Sequence, residues 1–290
     1  PSAKKAKGIK YAGFYSLLFF SQAYAKLQPE AQCAIRVFTR ELYALKDSDQ
    51  PASAQALAVG AGRVIQQELP NFTFQNIDLN GASLEPGIIG NILGGREGSP
   101  AEAQEVTAWR DDQQWKLGYE RTKVEAINQL KLRFRPGGVY LLTGGLGGIG
   151  SIIAKFLAYK YRAKLILLNR TPLPPRSEWA AYLAQQEGQR GDRSSRKINL
   201  IQDMEAFGAE VLTAAIDITD ERALQKLKAK VAENFGRLHG IVHSAGVAGG
   251  GILSLKTEEE AQRVFAPKVD GTLTLHEVFG GEELDFFILC

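Results

Sequence analysis

Val139-Tyr140-Leu141-Leu142-Thr143-Gly144-Gly145-Leu146-Gly147-Gly148-Ile149-Gly150 is the stretch whose reading decides the fold. Its first five residues are an apolar run of strand length. Its glycines form a loop, and Ile149 to Tyr161 then has helical periodicity. Glycine lets the backbone take positive φ and lets a pyrophosphate approach the main chain. A helix starting near Gly148 points its free N–H groups at that pyrophosphate. Glycine-rich turns also occur for tight packing alone, but a strand before and a helix after favour phosphate binding. Thr143, Gly144, Gly145, Leu146, Gly147, Gly148 and Ile149 are therefore candidate cofactor-binding residues. The spacing leaves the pattern open: Gly145, Gly147 and Gly150 fit GxGxxG, Gly144, Gly148 and Gly150 fit TGxxxGxG, and Gly144, Gly147 and Gly150 fit GxxGxxG.

Working outward, strand and helix alternate to the last residue. Strands are expected at Lys164 to Asn169, Glu210 to Ile216, Gly240 to His243 and Leu284 to Cys290. Helices are expected at Glu178 to Gln186, Ile198 to Phe207, Asp220 to Phe235 and, for the most part, Thr257 to Phe279. Glu187 to Ser195 reads as a polar loop. Continuous apolar strands separated by helices imply a parallel sheet covered on both faces. Right-handed crossovers make it doubly wound. The fold class is thus α/β, with a Rossmann-type sheet beginning near Gly137.

Upstream lies a smaller half. Pro1 to about Ala12 reads as a solvated linker. Gly13 to Lys26 and Ala52 to Leu69 read as helices, and Ala34 to Phe38 and Phe72 to Leu79 as strands. No glycine-rich loop follows either strand, so this half shows no place to hold a phosphate. Ala82 to Pro100 reads as a loop around a short helical segment, Gly87 to Leu93. Gln104 to Trp109 and Gln114 to Tyr119 read as two short strands, and Glu120 to Pro136 as a charged connector. The expected division is 1–12 linker, 13–120 first subdomain, 121–136 connector and 137–290 second subdomain.

The ends of the later strands choose the cofactor. An NAD site wants an acid about 20 residues past the loop for the ribose 2′-hydroxyl. Here Asn169-Arg170 stands instead, and a cation suits a 2′-phosphate, hence NADPH. Asp217, with Ile218, ends the third strand where the adenine would lie, although Asp217 also fits the turn before a helix cap. Ser244, Ala245 and Gly246 leave room for ribose and nicotinamide. His243 reads as a strand-end packing residue.

Composition bounds the rest. The chain has 290 residues, 44% hydrophobic and 23% charged, with 35 basic against 32 acidic residues and a net charge of +3. That is a globular balance, with no field arguing for nucleic acid or a membrane surface. No apolar run approaches the roughly 20 residues that span a bilayer. Two cysteines, Cys33 and Cys290, and three histidines, His239, His243 and His276, show no metal-ligand spacing. A reducing, cytoplasmic setting is expected.

TGGLGGIG, the Asn169-Arg170 pair, DITD, HSAGV and Ala266-Pro267-Lys268-Val269-Asp270-Gly271 together resemble the ketoreductase domain of modular polyketide synthases, in the short-chain dehydrogenase/reductase superfamily. LPPRSEWAAYL and the polar loop after it fit too, and EVTAWRDDQQWKLGYE resembles the strand pair that joins the two parts. The resemblance implies that the first half is a structural subdomain, a degenerate Rossmann half without its cofactor loop. It implies NADPH-dependent reduction of a β-ketoacyl group, carried on the phosphopantetheine arm of an acyl carrier protein, among neighbouring synthase domains. Lys268 matches the family's catalytic lysine, whose implied role is to hold the nicotinamide ribose and lower a tyrosine pKa.

The family's Ser, Tyr and Asn follow the last strand, and no matching segment stands among these residues. The stretch is therefore expected to read as a fragment that is inactive alone. Ala248-Gly249-Gly250 replace the LDD signature of one stereochemical outcome, which speaks against that outcome. Two other readings stay open: a non-catalytic NADP-binding scaffold module, and a stand-alone NADP-dependent dehydrogenase.

Overall fold

The computed structural model describes residues 8–47, 49–80, 90, 106–110, 113–121, 133–185 and 192–290. The helical segment expected from Gly87 to Leu93 (save Gly90), most of the connector, and the start of the polar loop lie outside these residues. The chain divides into two compact units. One is Pro1–Lys123 with Gly250–Glu260, the other Val124–Gly249 with Ala261–Cys290. Residues 250–260, expected in the second part from their place in the sequence, thus belong to the first.

In the first unit a helical segment begins at Gly8, passes through a π-turn at Tyr11–Tyr15 and continues as α1, Ser16–Leu27. Helix thus reaches into the stretch expected to be linker, and Lys10 is buried. Strand β1, Cys33–Arg40, pairs parallel with β2, Phe72–Leu79, and helix α2, Ala56–Glu68, connects them. Gly62 lets α2 lie directly on β2, since a Cβ there would stand 2.0 Å from the Phe74 ring. Strand β3, Val106–Arg110, runs parallel to β2, and β4, Gln113–Lys116, turns back antiparallel at the edge.

A buried ion pair ties β2 to β3. The Asp78 side chain is 0% exposed and meets Arg110 Nη2 at 2.6 Å. It also accepts hydrogen bonds from Thr39 Oγ1 at 2.6 Å and from the Leu42 amide at 2.9 Å. Past the carboxyl ends of β1 and β2 lies a cavity of about 360 Å³ whose lining mixes Glu41 and Asp49 with Lys46 and Arg110. Its Arg110 guanidinium is already committed to Asp78, which leaves mixed charge rather than a phosphate cradle.

In the second unit five parallel strands stand in the order β7-β6-β5-β8-β9. They are β5, Val139–Thr143; β6, Lys164–Asn169; β7, Glu210–Ala215; β8, Gly240–His243; and β9, Phe286–Leu289. The helices are α3, Gly148–Tyr161; α4, Trp179–Gln185; α5, Arg193–Ala206; α6, Glu221–Phe235; α7, Glu258–Phe265, whose first three residues fall in the first unit; and α8, Gly271–Phe279. A π-turn, Ala266–Asp270, joins α7 to α8.

The strand alternation of period two sends β5 to both cores. Tyr140 and Leu142 pack with Leu157, Ile198 and Met204 on one face. Val139 and Leu141 pack with Leu224, Leu227 and Leu275 on the other. Two covered faces explain why the central strands are apolar throughout. Chain order reverses at β5: β6 and β7 lie to one side, β8 and β9 to the other. A crevice opens at such a switch point, beyond the strands' carboxyl ends. Thr143 and His243 are paired across it.

Candidate functional site

The glycine loop crosses the mouth of this crevice. Gly144 has φ 66 and is the one loop residue in the left-handed region; a Cβ there would also stand 2.9 Å from the Ser244 carbonyl. The Gly144 amide donates to Leu168 O at 2.9 Å, and the Gly147 amide to Gly144 O at 2.8 Å. The loop is therefore folded back on itself and tied to β6. No side chain caps the start of α3, so its first-turn N–H groups are left for another acceptor. Space above that turn is open, since a Cβ on Gly148 would meet nothing within 4 Å.

A cavity of about 400 Å³ lies there. Gly144, Leu146, Gly147 and Gly148 line it from the loop, and Ser244, Ala245 and Gly246 from the end of β8. Asn169 and Arg170 line it from β6, and Asp217 and Ile218 from beyond β7. Thr143, Gly145, Ile149 and Lys268 do not line it. Thr143 is buried beneath it, and a Cβ on Gly145 would point at Leu142 and Leu167. Ile149 is 61% exposed. Lys268 lies beside the lining residue Gly246, whose added Cβ would be 3.5 Å from Lys268 Cε.

Three cations on the lining, Arg170, Lys197 and Arg263, face one carboxylate, Asp217. Hydrogen bonds from the Thr219 backbone and hydroxyl hold the Asp217 carboxyl below the usual carboxylate range, and the Arg170 charge adds to this. The other reading of Asp217, a place in the turn before a cap, is thus also real, while Asp220 is the cap of α6 and accepts from the Ala223 amide at 3.0 Å. Asn169 Nδ2 donates to Thr171 O, whereas Asn169 Oδ1 is buried with no partner. An uncapped helix start and an excess of cations on one cavity suit an anionic ligand.

Lys197 and Arg263 also line the cavity, and no motif in the sequence points to them; Ala266 and Pro267, quoted above only as part of the run around Lys268, line it too. Lys197 comes from the first turns of α5, which begins at Arg193 rather than at Ile198. The reason is Asp192, whose carboxylate accepts the Ser195 amide at 2.7 Å and Tyr182 Oη at 2.6 Å. Donation from Ser195 and from the Tyr182 hydroxyl pushes the Asp192 pKa down to about 2.

A family model described as "KR domain" matches residues 138–290. The chain belongs to the KR domain family. Over 165 residues it is 41% identical to the 6-methylsalicylic acid synthase of Aspergillus terreus, covering 56% of this chain and 9% of that protein. Over 159 residues it is 33% identical to a phenolphthiocerol/phthiocerol polyketide synthase of Mycobacterium tuberculosis, covering 54% and 8%. This KR-family chain thus spans under a tenth of the length of these curated relatives. Among solved structures, an A-type ketoreductase from a modular polyketide synthase superposes with a TM-score of 0.73 at 26% identity, covering 94% of this chain and 53% of that one. A ketoreductase domain from the bacillaene assembly line gives 0.73 at 24% identity over 95% and 58%, which speaks to the fold alone. The KR-family fold and the polyketide synthase ketoreductase resemblance read from the motifs are both shown. Among the described residues, no helix is long and apolar enough to cross a membrane and no cluster of metal-ligating side chains stands together.

Proposed function

We propose that this chain binds NADPH in the crevice at its switch point and serves the reduction of a β-ketoacyl thioester to a β-hydroxyacyl thioester. The substrate would ride on the phosphopantetheine arm of an acyl carrier protein, among neighbouring polyketide synthase domains. A cytoplasmic setting fits the two free cysteines. Residues 13–120, with 250–260, are read as the structural subdomain, 121–136 as the connector, and 137–249 with 261–290 as the cofactor-binding subdomain. The observation that carries the reading is the convergence of the glycine loop, the uncapped start of α3 and the cation Arg170 on one cavity.

In this assignment the N–H groups at the start of α3 bind the pyrophosphate, and Arg170 and Lys197 hold the adenosine 2′-phosphate. Asp217 and Ile218 bound the adenine, and the small residues Ser244 to Gly246 leave space for the nicotinamide ribose. Lys268, beside Gly246, hydrogen-bonds that ribose. When bound, the cofactor supplies hydride to the substrate carbonyl. Cofactor binding is the step proposed for these residues.

Titration of NADPH emission against the 290-residue chain tests the reading. Saturable binding, displaced by 2′,5′-ADP and weaker for NADH, is expected. No saturable binding by a folded chain would overturn it.

A further inference from the structure

His243 bridges two parts of the site that are far apart in sequence. Its Nδ1 lies 2.6 Å from Thr143 Oγ1, at the end of the strand leading into the glycine loop. Its Nε2 lies 3.0 Å from the Pro267 carbonyl, one residue before Lys268. A carbonyl only accepts, so Nε2 carries the ring proton and donates. Nδ1 then accepts from the Thr143 hydroxyl, whose oxygen accepts in turn from the Ala245 amide at 3.2 Å. Every member of this hydrogen-bond relay has one consistent role, and His243 is 4% exposed.

The π-turn changes the donor that reaches Pro267 O. In an α-helix that carbonyl would accept from the Gly271 amide, four residues on. Here the Gly271 amide donates to Ala266 O, five residues back. The register change removes the ordinary α-helical donor from Pro267 O, and His243 supplies one from another element. π-turns of this kind recur at functional sites.

We infer that His243 is a positioning residue: it locks the π-turn that bears Lys268 to the strand that bears the glycine loop, and so fixes Lys268 beside the cavity. The inference rests on the reading of Lys268 as the group that holds the nicotinamide ribose. It gives His243 a role beyond the strand-end packing that its sequence context implies.

The test compares His243→Leu, His243→Asn and His243→Gln with the parent and with Lys268→Ala, each checked by thermal melting. Two ligands are titrated: NADPH, and 2′,5′-ADP, which lacks the nicotinamide ribose. Glutamine reaches far enough to donate to Pro267 O; asparagine and leucine do not. Loss of one neutral hydrogen bond is expected to weaken NADPH about 3- to 10-fold in His243→Leu and His243→Asn, with recovery in His243→Gln. Affinity for 2′,5′-ADP should stay at the parental value in all three, a split that a merely structural role would not produce.

Parental NADPH affinity in His243→Asn or His243→Leu, alongside a weakened Lys268→Ala, overturns the inference and leaves the lysine assignment standing. So does an equal loss of both ligands. Parental NADPH affinity in Lys268→Ala instead removes the lysine assignment itself. If the leucine variant does not fold, the asparagine and glutamine pair decides.

Discussion

A Cβ on Gly150 would stand 2.3 Å from the carbonyl oxygen of Gly144, closer than real Cβ atoms come to backbone. Two residues earlier on the same turn, a Cβ on Gly148 would meet nothing within 4 Å. The two glycines therefore serve different ends, one packing the helix onto the loop and the other leaving room above it.

Gly150→Ala is expected to lower the melting temperature, because neither the Gly144 backbone nor the start of α3 can move away cheaply. Overpacking of this kind costs about 1–3 kcal/mol. Gly148→Val should leave melting nearly unchanged yet abolish NADPH binding, since its side chain occupies the open space at the helix N-terminus. Paired melting curves and NADPH titrations check both. Parental NADPH affinity in Gly148→Val would show that the loop serves packing alone.

Arg170 and Lys197 line one cavity from different elements. Each charge-assisted hydrogen bond to a 2′-phosphate is worth about 1.5–3 kcal/mol, or roughly 10- to 150-fold in affinity. Arg170→Ala should weaken NADPH in that range and NADH far less. A residual preference for NADPH should survive it and vanish only when Lys197→Ala is added. Calorimetric titration of both cofactors against the single and double variants measures this.

The legible parts of the molecule are those whose physics is local. The span Val139 to Thr143 is matched to the residue because an apolar run ended by glycines is self-contained. The bounds of β2, β6 and β8 are matched as closely. The start of α5 is not legible, because its first turns are the polar run from Arg193 to Lys197 and its cap, Asp192, stands in a polar stretch. Lys197 is hidden with it. Positive φ, expected of the loop glycines as a class, falls on Gly144 alone, and no spacing rule picks one glycine from such a cluster. The π-turn at Ala266 is invisible in the sequence because its one-residue shift leaves the apolar pattern around it helical.

The Asp78–Arg110 pair illustrates the other limit, contacts between strands whose sequence separation carries no periodic signal. Removing one partner of a buried pair leaves an uncompensated charge, which costs about 3–5 kcal/mol. Arg110→Ala is accordingly expected to unfold the first unit at markedly lower urea. The double variant Asp78→Leu/Arg110→Met should recover much of that loss, since no buried charge remains. In a Trp179→Phe background, urea melts followed by the emission of Trp109 and Trp115 report on this unit. A single variant as stable as the parent would mean that water reaches the Asp78 carboxylate.

Stability should also fall as pH drops below about 6.5, through two histidines. Burial pushes the imidazole of His243 below its ordinary range, and burial does the same to His239, helped by the Arg135 charge. Both use Nδ1 as an acceptor, His243 from the Thr143 hydroxyl and His239 from the Val139 amide at 3.0 Å. The unfolded chain takes up protons at an ordinary histidine pKa of about 6.5, while the folded chain takes them up only at lower pH. In that window the unfolded state binds more protons, so lowering pH favours unfolding, by at most about 1.4 kcal/mol per pH unit for each histidine. The stabilisation is complete above the unfolded pKa and is lost as pH drops through the window. Asp49, Asp192, Asp217 and Asp285 have lowered pKa values, so their contributions fade only under more acid conditions. Urea midpoints measured from pH 7.5 to pH 5 should therefore fall, and fall less steeply in His243→Gln. An identical slope in the variant would show that His243 takes up its proton as readily in the folded chain as in the unfolded one.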